Sequence, residues 1–168
     1  MPSRDAEPVN ALSQDVLEVL ALAALSGFRA AAPPALLARA VRRGDLPTLE
    51  GTSLGRLGSA SNVFLALMIG EMIADKTPFI PARFAPGPAF GRALSGGLVG
   101  AALSVSRGRG VASGAIAGGA AALAGLYAAD RARKWASGSA NLPDPLWGAL
   151  EDALVLFAGS RLTRERRP

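Results

Sequence analysis

Charged side chains stand at the edges of, or inside, the apolar stretches of this sequence: Arg29, Glu71, Asp75, Lys76, Arg92, Asp130, Arg131, Glu151 and Asp152. An isolated charge at membrane depth costs about 2.5–3.5 kcal/mol on insertion scales, so such residues either pair or serve a purpose. Acids meeting arginines across helices would form ion pairs that fix helix register. The chemical alternative makes Glu71 or Glu151 a proton or cation site in a water-filled vestibule. Arg29 is the most informative single residue. Counted from Val16 it lies about 20 Å into an apolar stretch at 1.5 Å per residue, and Pro33-Pro34 must kink or break the helix just after it. Interrupted spans expose backbone to substrates in transporters. An arginine can equally snorkel along its stem, and a kink can simply fit a neighbour.

Other chemistry is absent from the residue types. The chain has no His and no Cys, which excludes thiol nucleophiles, imidazole bases and the usual zinc, haem and iron–sulfur ligation. Gly108-x-Gly110 is followed by Ser113 rather than Gly, so no dinucleotide fingerprint is present, and Walker A, GxSxG and HExxH patterns are missing as well. No enzyme, cofactor or metal is expected. A pI near 10.9 raises nucleic acid as a partner. The arginines flank apolar stretches without interleaved aromatics, so nucleic acid is set aside and anionic lipid headgroups are expected instead.

The elements that must position these charges are apolar and glycine-rich. Gly110–Ala129 carries no charge, and its length matches a helix crossing a hydrocarbon core of about 30 Å. Of 168 residues, half are hydrophobic and 20 are glycine, with mean hydropathy +0.30. Glycine is costly in helices in water and common in membrane spans, where it lets backbones approach. That combination opposes the competing reading, a soluble Ala/Gly-rich helical domain. Further spans are read at Val16–Val41, Leu57–Ala74, Phe90–Val105 and, marginally, Leu146–Leu162. Asp5, Glu7 and Asp15 before the first stretch oppose a signal peptide. Thr77–Pro88, with its four prolines, reads as an extended connector. The tight loop Ser106–Gly110 should join the third and fourth spans as a close hairpin, with Gly96, Gly97 and Gly100 facing Gly114 and Gly118.

The expected fold is therefore all-α: a multi-pass transmembrane bundle of four to five spans, with a Pro-broken first span and a glycine-rich hairpin. Residues 1–15 read as a polar tail, 16–162 as a single helical membrane domain, and 163–168 as a basic tail. With five alternating spans, Glu18, Glu71, Asp75, Asp130, Glu151 and Asp152 fall on the N-terminal side. The larger share of Arg and Lys falls on the other side, which the positive-inside rule makes cytoplasmic. The expected orientation is N-out and C-in.

Four segments together resemble one family. They are Ser26–Pro33 (SGFRAAAP), Gly70–Pro78 (GEMIADKTP), Gly91–Gly97 (GRALSGG), and Pro143-Asp144-Pro145 leading to Glu151-Asp152. This pattern is similar to the bacterial inner-membrane domain of unknown function forty-one twenty-six, over roughly residues 20 to 160. The resemblance implies a multi-pass helical protein of the bacterial inner membrane and transfers no activity. Two functions stay open. One is a non-catalytic structural or accessory subunit that packs against other membrane helices in a larger assembly, for which a bioenergetic complex is one candidate. The other is a small transporter or channel using Arg29, Glu71 and Glu151. A transporter needs Arg29 on the wall of a polar cavity, whereas an accessory subunit needs it paired and dry.

Overall fold

The computed structural model describes residues 6–74, 85–139 and 144–162. They form helices α1 (Ala6–Phe28), α2 (Ala32–Arg42), α3 (Ser61–Ala74), α4 (Pro86–Ser106), α5 (Val111–Ser139) and α6 (Asp144–Leu162). Two short 3-10 turns, Pro47–Leu49 and Ser53–Gly58, link α2 to α3. The protein is all-helical over these residues. One helix, Val111–Ala136 within α5, is long and apolar enough to cross a membrane, with mean hydropathy 1.5 over its window. Of the four to five spans expected, one meets this length and composition among the described residues. α3 is apolar but short, and the other helices are interrupted by charge.

The centre is a three-helix layer of small residues. α4 and α5 run antiparallel with backbone against backbone. A Cβ on Gly100 would lie 2.8 Å from the Cα of Gly118, and one on Gly118 would lie 2.9 Å from the Cα of Gly100. A Cβ on Gly114 would fall 2.6 Å from the Gly100 carbonyl, and one on Gly96 equally close to that of Gly118. A Cβ on Gly97 would lie 3.2 Å from the Ala115 carbonyl. α1 lies across this pair. A Cβ on Gly27 would strike the α5 backbone at Ala122, Gly125 and Leu126, and one on Gly125 would strike Ala24. Such close backbone contacts maximise dispersion between the helices. Leu22, Leu37, Leu49, Val99 and Leu103 fill the space between this layer and the outer elements.

The first apolar stretch departs from its expected form. Instead of one Pro-kinked crossing over Val16–Val41, it folds into two helices that reverse direction at Arg29–Ala31. The position of Gly159 on α6 faces both Leu22 of α1 and Leu36 of α2, which only a hairpin allows. The physical reason lies in the prolines. Pro33 and Pro34 sit in the first turn of α2, where their missing N–H groups have no intrahelical acceptor to lose. They start a helix here rather than bend one. Similarly, Pro86 and Pro88, expected within an extended connector, begin α4.

With this reversal the described helices alternate along six rather than five elements. Arg42 meets Asn62 at one end of α2 and α3, and Ala30–Ala31 meet Glu71 at the other. Glu18 pairs with Arg107 in the α4–α5 loop at 3.0 Å, although alternation over five spans puts them on opposite sides. α6 runs antiparallel to α1, Arg29 lying against Asp152 and Leu22 against Gly159. The start of α1 and the end of α6 therefore share one end of the bundle. α1 also begins at Ala6, within the stretch expected as a tail, and α5 continues to Ser139, ten residues past the end of the uncharged stretch at Ala129.

A buried ionic cluster as the candidate functional site

At the end of the bundle where α1 turns into α2, buried and half-buried charges gather from five helices. Arg29 follows the last residue of α1 and is 2% exposed. It therefore marks the bend between two helices, not the middle of a span. Its backbone N–H still donates to the Leu25 carbonyl at 3.0 Å, and its positive charge suits the carbonyl end of α1. The Arg29 Nε lies 2.6 Å from Oδ1 of Asp152 on α6. That distance makes an ion pair, although the N–H does not point along it as a hydrogen bond requires. Its Nη2 donates to the Gly148 carbonyl one turn earlier on α6, at 3.4 Å.

Glu71 does something else. Its two carboxylate oxygens accept the N–H groups of Ala30 and Ala31, each at 2.8 Å. Those donors are freed by the break and lie immediately before the first turn of α2, at the end where the helix dipole favours an anion. No Ser, Thr, Asp or Asn stands at the N-cap, which is Ala31. Glu71 of α3 thus caps α2 from a distance of 40 residues in the chain. Ser95 of α4 closes the same bend, donating to the Ala30 carbonyl and lying 3.0 Å from the Ser26 hydroxyl.

A second ion pair runs beside the first. Glu151 on α6 is 2% exposed and accepts Arg133 of α5 at 3.3 Å and the Trp147 indole N–H at 3.0 Å. Arg92 on α4 is buried and reaches back to the Pro88 carbonyl at 3.4 Å. Adjacent carboxylates on α6 therefore tie that helix to α1 and to α5.

Of the residues expected to form one charge network, Arg29, Glu71, Glu151 and Asp152 meet around the bend, with Arg92 buried on α4. Asp130 and Arg131 do not join. Asp130 pairs locally with Lys134 at 2.7 Å, and Arg131 lies 5.0 Å over the Tyr127 ring on the outer face of α5. Asp75 and Lys76 lie outside the described residues. Arg133 is not among the residues expected in the network, where Arg131 stands instead. On α5 the buried Ala122, Leu126 and Ala129 define the inward stripe, and Arg133 continues it four residues on while Arg131 does not. That periodicity was the available signal.

Arg29 and Glu151 are each 2% exposed, whereas Ala30, Ala31 and Glu71 are half-buried. Three cavities, of about 730, 320 and 450 Å³, have walls that do not include Arg29. The third is an apolar groove between α3 and α4 that opens onto the bend itself, with Ala30, Ala31, Glu71 and Ser95 in its wall. Comparison adds no relative: no protein-family model, no curated protein and no solved structure matches this chain.

Proposed function

We propose that this chain is a multi-pass integral membrane protein of the bacterial inner membrane, acting as a non-catalytic structural or accessory subunit within a larger assembly. The observation that carries the membrane part is α6. It turns Glu151, Val155 and Gly159 inward at four-residue spacing, while Leu146, Leu150, Leu154 and Phe157 face outward. Val63, Leu67, Ile69 and Ile73 of α3 and Ile116 and Leu123 of α5 are exposed too. In water, continuous apolar surface of this kind drives association. In a bilayer the same arrangement is the economical one, with charges paired inside and apolar side chains toward lipid or partner helices.

Support for a structural rather than a transport role comes from Arg29, which is dry and held against Asp152. Transport would require it to line a polar path. Kinship with domain of unknown function forty-one twenty-six belongs to the same proposal and rests on the four sequence segments that resemble it. The test is extraction from native membranes. The protein should stay in the pellet through an alkaline carbonate wash and co-migrate with other membrane proteins after mild detergent extraction. Release by carbonate would overturn the membrane reading. Recovery as a lone monodisperse species, or liposome flux abolished by Arg29→Ala, would overturn the accessory role.

A further inference from the structure

We propose that the slot between α2, α3 and α6 is a specific site for one singly charged anionic phospholipid, with its phosphate on Arg39 and Arg43 and an acyl chain between the helices. The inference rests on the membrane reading above. The slot encloses about 320 Å³, at the lower end of the roughly 300–1,000 Å³ typical of small-molecule sites. Its walls are aliphatic: Leu36 from α2, Leu65 and Met68 from α3, and Leu156 from α6. Its mouth is ionic. Arg39 and Arg43 follow Leu36 by three and seven residues, so all three share one face of α2, and Asp45 completes the rim.

Several observations separate this place from a generally basic surface. Arg39 and Arg43 are exposed while the rest of α2 is largely buried, and among the described residues neither has an ion-pair partner. Two guanidiniums at the C-terminal end of α2, on the arginine-rich end of the bundle, present forked donors suited to a phosphodiester. Asp45 leaves the mouth a single net positive charge, which matches one phosphate monoanion and disfavours a headgroup carrying two. Directly beneath the charges, the aliphatic walls continue toward Gly159, whose missing side chain leaves room for Leu36. A cationic mouth over an apolar slot is the complement of an anionic amphiphile. Free phosphate would use only the mouth, and a neutral lipid only the slot.

The test uses the full chain in a non-ionic detergent, titrated with dioleoylphosphatidylglycerol and followed by native mass spectrometry and thermal unfolding. Wild-type protein should retain one lipid, at least tenfold more tightly than the Arg39→Gln/Arg43→Gln variant, whose substitutions are exposed and spare the fold. Met68→Trp should block the slot, and Leu156→Trp does the same from α6 if the first variant unfolds. Dioleoylphosphatidylcholine should bind at least tenfold more weakly. Equal retention by the double Gln variant would overturn the site, as would stabilisation by inorganic phosphate equal to that by the lipid. A protein that stays in carbonate-washed membranes yet fails these arms loses only this site; one that washes out loses the membrane reading with it.

Discussion

Glu71 has two oxygens and both are used, on two N–H groups that the reversal at Arg29–Ala31 would otherwise leave unmet. An unsatisfied buried donor costs about 1–3 kcal/mol. These two N–H groups are half-buried, so Glu71→Ala should lower stability by about 1–2 kcal/mol, while Glu71→Gln, keeping one good acceptor, should cost about half as much. Thermal unfolding in detergent measures the order; equal losses would mean that the carboxylate only fills space. Arg29 and Asp152 make a different kind of contact. Removing one partner of a buried pair strands a charge and costs about 3–5 kcal/mol, whereas replacing both with apolar residues is often near neutral. Arg29→Met and Asp152→Leu should each destabilise strongly, and the double substitution should recover most of the loss. Additive losses in this cycle would show that each side chain is held by other groups. The residue types at the site were legible, because charges in apolar stretches are conspicuous. Their partners were not. Nothing local in Gly70–Asp75 says that Glu71 will meet backbone amides 40 positions earlier.

At the scale of elements, the glycine pairs of α4 and α5 leave no space for a larger side chain. Gly118→Leu would push a branched group into the Gly96 and Gly100 backbone, where neither helix can yield without parting from α1. The loss should reach or exceed the top of the ~1–3 kcal/mol range of overpacking. Gly70→Leu on α3, where a Cβ meets nothing within 4 Å, should be nearly silent in the same unfolding assay. A similar response from both variants would remove the argument for backbone packing. This hairpin was readable because a four-residue glycine spacing and a short loop are local features. The α1–α2 reversal was not, since two consecutive prolines mark a kink and a helix start with the same letters. What decides between them is Gly159 of α6 and Glu71 of α3, both far away in sequence.

At the scale of the molecule, the reversal changes which segments share a side. Six alternating helices put the start of α1, the α2–α3 link, the α4–α5 loop and the end of α6 at one end, as the Glu18–Arg107 pair and the antiparallel packing of α1 on α6 require. Arg39, Arg42, Arg43, Arg56, Arg107, Arg109 and Arg161 all lie there. Among the described residues, the opposite end holds Arg29, Arg92 and Arg133 in buried or half-buried positions, and only Arg131 and Lys134 exposed. The positive-inside rule responds to exposed Lys and Arg near span ends, so the arginine-rich end should face the cytoplasm, with both termini of the bundle on that side. The absence of native cysteine makes this directly measurable. In sealed vesicles, Gln14→Cys, Ser59→Cys and Arg161→Cys should all react with an impermeant maleimide from the cytoplasmic face, and Lys134→Cys only from the other. Labelling of Gln14→Cys and Arg161→Cys from opposite faces would restore an odd number of crossings and contradict the hairpin at Arg29. Labelling of all four from both faces would mean that the bundle does not divide the bilayer at all.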